Sequence, residues 1–267
     1  MSSDLRRRIP AAVLYVISIG VCFLLNSVSA IVLLWIFFAF CLFEYLSVEF
    51  GEHPVMIVLL TVASHGIVSL GITGQLPPPY LLILCSCVVG GLLWNALHLI
   101  NTKRAGILNM PRTLATLFYL TLPFLIVITM CHEQPEFLTI VLGTFIIIWL
   151  NDAGAYFVGR AYGKHKIFPS VSPGKTWEGF WGGMIVGIIV SIAVARVFGA
   201  MNYPHWMLLA CVLAITGILG DLTESSWKRH HEIKDSSQLF PGHGGFLDRL
   251  DSFIYSIPFV ALIYLVS

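Results

Sequence analysis

Acidic residues gather in one part of this 267-residue sequence, in and beside two hydrophilic stretches that span residues 153–178 and 225–251. A carboxylate next to long apolar segments is energetically unfavourable unless it faces a partner, a cavity or water. We therefore expect a binding or catalytic site in these stretches. The acidic residues concerned are Asp152, Glu178, Asp221, Glu224, Glu232, Asp235, Asp248 and Asp251.

The segment GDLTESSWKR at 220–229 directly follows an apolar run. If it is helical, residues spaced i, i+3, i+4 and i+7 share one face. Two carboxylates, a hydroxyl and an ammonium group would form that face, namely Asp221, Glu224, Ser225 and Lys228. An amphipathic helix end that meets water is the plainer interpretation, but the closeness of Asp221 to the apolar run favours a specific partner for its carboxylate.

A glycine-rich segment at 240–251, FPGHGGFLDRLD, leads into the last apolar run. Gly244 and Gly245 beside His243 let backbone N–H groups approach an anion, and the start of the next helix adds its positive dipole end. Asp248 and Asp251 follow on one helix face. Carboxylates beside an anion-binding backbone indicate Mg²⁺, because the cation reconciles them with a phosphate. A glycine turn with Asp at favourable helix positions is an equally good interpretation of this segment alone.

The segment SVSPGKTWEG at 170–179 contains a Gly-Lys-Thr triplet. A phosphate-binding loop of the G-x-x-x-x-G-K-[ST] type would need glycine in place of Pro169 and a preceding strand, and we expect no strand there. The segment instead predicts a mobile Lys175 on a Pro-Gly turn near a membrane helix, suited to contact a phosphate as a point charge. A plain interfacial lysine is the alternative.

The elements that position these residues are predicted by composition, which is 57% hydrophobic and only 11% charged. Soluble domains carry about 25% charged residues, and a membrane span needs about 20 mostly apolar ones. We expect an all-α, polytopic integral membrane protein with about nine transmembrane helices in a single domain over residues 1–267. Its catalytic face would be built mainly from 150–180 and 220–255. The expected spans are 9–27, 29–48, 54–73, 79–100, 112–131, 136–152, 179–199, 204–224 and 252–267.

The basic residues predict the orientation, because short cytosolic loops collect Lys and Arg. With the N-terminus inside and alternating spans, four basic clusters lie on the cytosolic side, and only Arg196 of the fifteen basic residues falls near the outer face. The C-terminus is then outside, and the first span is expected to remain uncleaved. The formal net charge of +1 gives no reason to expect a nucleic-acid partner.

Residues 225–251 carry a resemblance to a known family. The run SSWKR, then four residues, then KDSSQLFPGHGGFLDRLD is similar to the signature of the phosphatidate cytidylyltransferases, also called CDP-diacylglycerol synthases. Trp227 departs from it, since the family more often has an aliphatic residue or Phe there. The segment 172–179 and Asn151-Asp152 also resemble family segments. The likeness covers roughly residues 150–255, whereas the first 130 residues match only as apolar spans.

The resemblance implies that CTP and phosphatidate give CDP-diacylglycerol and pyrophosphate, with Mg²⁺ and room for a second cation, in a dimeric membrane fold. It implies that Asp221 and Asp248 hold the metal, with Asp251 as a further candidate ligand. The expected catalytic residues are Asp221, Asp248, Lys175, Lys228 and Arg249. The expected substrate-binding residues are Ser172, Thr176, Ser225, Arg229, Lys234, Asp235, His243, Gly244 and Gly245.

Other functions stay open at the level of the sequence. A CTP-dependent transferase or kinase for another lipid, such as an isoprenoid phosphate or alcohol, would share much of this chemistry. A secondary transporter would use polar residues inside its spans, such as Glu44, His65, Asn95 and Asp152. Transporters place such groups near the midplane, however, and these sequence motifs cluster at one face. A purely structural subunit would leave the clustered carboxylates unexplained.

The topology yields a first testable prediction. Nine spans and a cytosolic N-terminus place the C-terminus outside. A reporter enzyme that works only on the outer side of the membrane should therefore be active when it is fused after Ser267. A paired reporter that works only in the cytosol provides the control. Activity of that cytosolic reporter after Ser267 would contradict the predicted orientation.

Overall fold

A computed structural model describes residues 3–51, 55, 58–59, 61–63, 66, 78–237 and 244–267. Its regular elements are helices apart from one small hairpin. The helices are α1 (Ser3–Leu25), α2 (Ser27–Phe50), α3 (Pro78–Thr102), α4 (Arg112–Glu133), α5 (Pro135–Tyr162), α6 (Trp177–Phe198), α7 (Tyr203–His230) and α8 (Leu247–Val266). A 3₁₀ turn (Gly106–Asn109) precedes α4, which contains a π-helical turn at Leu117–Thr121.

Within the described residues, seven helices are long and apolar enough to cross a membrane, and Val13–Leu25 is a shorter apolar helix. The expected all-α, multi-pass membrane architecture is therefore confirmed. Eight of the nine expected spans coincide with described helices. The remaining one, 54–73, lies largely outside the described residues, so the total of nine stays a prediction.

Local sequence signals explain where several helices begin and end. Asn26 breaks the long N-terminal apolar run, because its side chain accepts a hydrogen bond from the Ser29 N–H (2.8 Å) and caps α2. The helix then ends at Gly51, which has a positive φ of 74°. Thr176 caps α6 by accepting from the Gly179 N–H (3.2 Å). Asn26 thus separates α1 from α2.

Glycines bring α5 and α6 together. A Cβ on Gly183 would lie 2.7 Å from the Asn151 carbonyl oxygen, and one on Gly182 would lie 2.6 Å from the Val158 Cβ. The absence of side chains at these glycines therefore lets the two helices approach closely. At Gly187 a Cβ would make only ordinary contacts of 3.7 Å, but the two helices are again close near the end of α6, where a Cβ on Gly143 would lie 2.8 Å from Val194 Cγ1.

A second close approach lies between α7 and α8. A Cβ on Gly220 would lie 2.6 Å from the Asp251 carbonyl oxygen and 2.8 Å from the Tyr255 Cβ. The two helix backbones therefore nearly touch at the residue that precedes Asp221. This contact brings the acidic end of α7 beside the acidic start of α8.

The connection between α5 and α6 corrects one sequence expectation. Strand β1 (Lys166–Phe168) pairs antiparallel with β2 (Ser172–Thr176), in the register Lys166 to Thr176 and Phe168 to Ser172. A strand therefore does precede Lys175, and Lys175 lies on a strand rather than on a Pro-Gly turn. Pro173 is tolerated because each strand of a two-stranded sheet has an unpaired edge. The glycine that a Walker loop requires is still absent at Pro169.

Both helices beside this hairpin are longer than a bilayer core is thick. Helices α5 and α7 each contain 28 residues, which corresponds to about 42 Å at 1.5 Å per residue. A hydrocarbon core is about 30 Å thick. Their charged residues Asp152, Arg160, Asp221 and Lys228 all lie in the half of each helix that ends near the hairpin.

Candidate functional site

A cavity of about 620 Å³ lies between α5, the hairpin, the start of α6 and α7. Lys175 forms an ion pair with Asp221 at its wall, and the side chains of the two are 23% and 35% exposed. Ser225 donates a hydrogen bond to the other carboxylate oxygen of Asp221 (3.0 Å). The tertiary structure thus brings together residues of two separate motifs. The polar lining residues are Asn151, Asp152, Tyr156, Arg160, Lys166, Lys175, Thr176 and Asp221.

The hairpin is held at its base by a carboxylate that faces away from the cavity lining. Glu178 accepts hydrogen bonds from the backbone N–H groups of Lys164 (3.1 Å) and His165 (3.2 and 3.3 Å), and it contacts the His165 ring (2.6 Å). The Trp177 N–H also donates to the His165 carbonyl (2.9 Å). Glu178 therefore fixes where β2 presents Lys175, a role that its place in the sequence did not reveal.

A second polar cluster lies between α7 and α8. The Lys228 Nζ donates to Glu224 Oε2 (3.1 Å) and to Asp248 Oδ1 (2.6 Å). The side chain of Lys228 is 11% exposed, that of Glu224 is 2% exposed and that of Asp248 is 12% exposed. The expected stripe on α7 is present but divided, because Asp221, which Ser225 contacts, lines the cavity, whereas Lys228 bonds to Asp248 of α8.

Asp248 is oriented by donors from two segments. Its Oδ2 accepts from the Gly245 N–H (2.7 Å), the Ser236 N–H (3.2 Å) and the Ser236 hydroxyl (3.3 Å). Gly244 has a positive φ of 79°, which lets the chain turn just before α8. Together with Lys228, these donors hold the carboxylate in one direction.

The next carboxylate, Asp251, is buried at the α7–α8 contact, where its Oδ1 accepts from the Ser252 N–H (2.7 Å). Ser252 donates to the Gly217 carbonyl (3.1 Å), and Tyr255 donates to the Leu92 carbonyl (2.5 Å). The residues that share the face of Asp251 thus tie α8 to its neighbours.

The other predicted residues lie in different places. Arg229 donates to the Ile233 carbonyl (3.0 Å) and lines a separate cavity of about 180 Å³, together with Lys103, Arg104 and His230. It is therefore not brought to the cavity of Lys175. Ser172 pairs with Phe168 in the hairpin, Arg249 is half-buried on the first turn of α8, and Lys234 and Asp235 are exposed. His243 lies outside the described residues.

Glu44 contributes to the site region, although the sequence analysis considered it only as part of the substrate path of a transporter. Glu44 of α2 is 1% exposed and accepts hydrogen bonds from both sides of the loop that carries the glycine-rich motif. A carboxylate inside an apolar run was the only signal that could have pointed to it. Nothing local indicated that its partners would lie about 200 residues away in the chain.

The carboxylate and amide oxygens at this site are of the type that Mg²⁺ binds. This ion typically takes one or two carboxylates and completes its coordination shell with substrate phosphates and water. Asp221 reaches the cavity, which Asp152 and Asn151 also line. The Asn151 Oδ1 is buried without a hydrogen-bond partner among the described residues. In the described part of the chain, no three His, Cys, Asp or Glu side chains are grouped as a ready-made metal site. A cation held here would therefore depend on substrate oxygens.

The sequence profile of the cytidylyltransferase family matches residues 6–267. The chain belongs to that family. Three similar relatives are each named phosphatidate cytidylyltransferase. That of Staphylococcus saprophyticus is 46% identical over 134 residues, which are 49% of this chain and 51% of the relative. That of Haemophilus influenzae is 44% identical over 138 residues, 50% of this chain and 48% of the relative. That of Staphylococcus haemolyticus is 49% identical over 125 residues, 46% of this chain and 48% of the relative.

The chain thus spans about half the length of the curated relatives it matches.

The buried cluster yields a prediction about stability. Replacing Lys228 with Met would leave Glu224 and Asp248 close together without their cation, and breaking a buried ion pair in this way costs about 3–5 kcal/mol. The thermal unfolding midpoint in detergent should therefore fall strongly. Lys175→Met is the matched control and should lower it less, because its partner Asp221 is more exposed. Equal midpoints for the two variants would contradict the prediction.

Proposed function

We propose that this protein transfers the CMP group of CTP to phosphatidate, forming CDP-diacylglycerol and pyrophosphate for phospholipid synthesis. The observation that carries the proposal is the Lys175–Asp221 pair at the wall of a mixed-charge cavity. The cavity lies beside the polar halves of α5 and α7, in a chain of the cytidylyltransferase family. The names of the similar relatives support phosphatidate as the acceptor.

The chemistry suits a site without a strong base. A phosphate monoester is mostly dianionic at pH 7, by analogy with a second pKa of about 6 for phosphorylated side chains. A phosphatidate oxygen attacks the α-phosphorus of CTP, a new P–O bond forms, and the bond to the β-phosphate oxygen breaks with its electrons leaving on pyrophosphate. The main requirements are in-line alignment of two anions and neutralisation of the leaving group.

Cationic residues of the cavity can meet these requirements. Lys175 contacts the phosphates of CTP, and Arg160 and Lys166 line the same cavity. The N-terminus of α6, capped by Thr176, adds the positive end of its helix dipole. Lys228 also contacts the phosphates of CTP in this proposal. In the described chain its ammonium group is already bonded to Glu224 and Asp248.

Asp221 and Asp248 would hold Mg²⁺, with Asp251 as a further candidate ligand. When bound, the ion would supply positive charge against the developing pyrophosphate. The chain's part in this is to hold the two carboxylates on the facing ends of α7 and α8. Ser225 orients Asp221, and the Gly245 and Ser236 N–H groups orient Asp248.

The proposal includes a cellular placement. Basic residues near the hairpin and the end of α7 favour a cytosolic site under the positive-inside rule, where CTP is available. The proposal that the protein forms a homodimer rests on the family resemblance alone. The test is the oligomeric state of the purified protein in detergent, and a monomer that remains fully active would remove the dimer from the proposal.

An assay with two labelled forms of CTP separates the proposed reaction from its alternatives. Purified protein in detergent is incubated with Mg²⁺, phosphatidate and CTP that carries its label on the α- or the γ-phosphate. Cytidylyl transfer places only the α-label in lipid, whereas a CTP-dependent kinase places only the γ-label there. Parallel reactions with an isoprenoid alcohol and phosphate test the other lipid acceptors. Lack of α-label in phosphatidate-derived lipid would refute the proposal.

The proposed metal ligands generate a prediction about turnover. Asp221→Asn or Asp248→Asn keeps the shape of the side chain but removes its charge, so each should lower kcat at least ~10²-fold, on the order of 2.7 kcal/mol for a key electrostatic contact. Glu136→Gln, at an exposed position at the start of α5, is the control and should be neutral. Near-normal activity at limiting Mg²⁺, in either variant with a normal size-exclusion profile, would argue against the shared site.

A separate prediction concerns binding of CTP. Lys175→Met should weaken the interaction with the triphosphate and so raise the KM for CTP or lower kcat, by about tenfold for a lost charge-assisted contact. Lys164→Met is the matched control, because this exposed lysine on the same connection does not line the cavity. Identical CTP kinetics for the Lys175→Met variant and the control would exclude Lys175 as a phosphate ligand.

A further inference from the structure

Glu44 lies in α2, outside the two motif-bearing stretches. Its Oε1 accepts from the Ser237 hydroxyl (2.6 Å) and the Phe246 N–H (2.8 Å), and its Oε2 accepts from the Ser236 hydroxyl (2.8 Å) and the Leu247 N–H (2.9 Å). Two of the four donors belong to residues 236–237 and two belong to residues 246–247, which directly follow Gly244 and Gly245. The side chain therefore joins these two parts of the α7–α8 connection to each other.

The chemistry of the site selects a carboxylate. Four donors meet two oxygens, and a carboxylate offers only acceptors, with about four lone-pair positions. A glutamine side chain in place of Glu44 would have an NH₂ group where one carboxylate oxygen now lies. The hydrogens of that group would point toward other hydrogen-bond donors. At 1% exposure no bulk water could satisfy the groups left over, and each unsatisfied buried donor costs about 1–3 kcal/mol. A residue whose only task was to fill space would be apolar here.

The surrounding contacts show that Gly245 and Phe246 pack closely against α2. A Cβ on Gly245 would overlap the Ser236 hydroxyl and the Glu44 carboxylate, so only glycine fits at this position. The Phe246 ring stacks on Phe40 of α2 at a centroid distance of 4.9 Å and an interplanar angle of 7°. A polar and an aromatic contact from the same helix thus hold one loop end.

A short chain of hydrogen bonds connects Glu44 to Asp248. The Ser236 hydroxyl lies 2.8 Å from Glu44 Oε2 and 3.3 Å from Asp248 Oδ2. The Ser236 N–H and the Gly245 N–H also donate to Asp248 Oδ2. Glu44 therefore holds the same residues that orient the carboxylate of Asp248, although it does not contact that carboxylate itself.

We propose that Glu44 is a positioning residue of the nucleotidyl-transfer site, which acts by fixing residues 236–237 and 244–247 so that Asp248 keeps its orientation. The proposal rests on the function proposed above. Outer residues that orient a ligand commonly affect activity 10–100-fold when they are replaced, and a misplacement of about 1 Å can have a similar effect. A loss of ~10–100-fold in kcat is therefore expected for Glu44→Gln.

The first arm of the experiment is independent of activity. Amide hydrogen exchange of the purified protein in detergent is compared between the wild type and Glu44→Gln. Peptides that cover residues 244–250 should exchange at least about tenfold faster in the variant, because the Phe246 and Leu247 N–H groups lose an acceptor. Peptides from α5 and α6 should be unchanged. Unaltered exchange at 244–250 would overturn the proposal, whatever reaction the protein catalyses.

The matched control uses the other carboxylate of the same helix. Glu49 accepts from the Trp227 indole (2.7 Å) and contacts His231 (3.1 Å) and Arg112 (3.4 Å), and it does not touch the loop. Glu49→Gln makes the same chemical change one and a half turns away. It should leave exchange at 244–250 and kcat near the wild-type values. If both variants accelerated exchange equally, general loosening of α2 would explain the result and the proposal would fall.

A double-mutant cycle separates positioning from loss of folded protein. If Glu44 acts through Asp248, then Glu44→Gln should lower kcat much less in the Asp248→Asn background than in the wild type. A purely structural role would multiply the two losses. Fully multiplicative effects would therefore overturn the proposal.

A milder variant covers the case in which Glu44→Gln does not yield a monodisperse protein. Ser236→Ala removes the link between the two carboxylates and leaves Glu44 with three donors. It should lower kcat several-fold and accelerate exchange at 244–250. A wild-type result for Ser236→Ala in both measurements would count against the proposal. If the wild type formed no CDP-lipid, the proposed function would fail, whereas the exchange arm would still decide whether Glu44 holds the loop.

Discussion

The ammonium group of Lys228 lies between two buried carboxylates that come from different helices, Glu224 on α7 and Asp248 on α8. Two carboxylates so close together in an apolar setting would repel each other, and neither could be solvated by bulk water. The cation makes their approach favourable and so allows α7 and α8 to meet with their acidic ends side by side. The close contact at Gly220 depends on the same approach.

This arrangement divides the polar residues of α7 between two tasks. Asp221 lines the cavity beneath the hairpin and is held by Ser225, whereas Glu224 and Lys228 join the cluster with Asp248 of α8. From Asp221 to Lys228 the helix rises about 10 Å. A ligand that interacts with both groups must therefore extend along the helix, as a chain of phosphates can. The division also explains why the buried lysine contributes to stability, while Lys175 is accessible at the cavity wall.

Two carboxylates outside the cavity determine how its chemical groups are presented. Glu178 holds the base of the hairpin through the backbone of Lys164 and His165. Glu44 holds the loop that leads to Asp248. Both bind mainly backbone N–H groups and serine hydroxyls, so they fix the position of chain segments. The hairpin and the residues just before α8 are thus tied to helices, as is required for a site that aligns two anions.

The sequence by itself determined the features that depend on local composition and periodicity. The low charge content predicted membrane helices, and the spacing of residues 221–228 predicted the polar face of α7. Only the tertiary structure decided which neighbour each side of that face meets, because helical periodicity gives an angle around one axis and no information about the next helix. Strand β2 was missed since its Pro-Gly pair favours a turn locally, and only pairing with β1 makes it a strand. Glu44 was not recognised as a loop anchor because its partners are about 200 residues distant in the chain, and a single buried carboxylate does not reveal which donors will surround it.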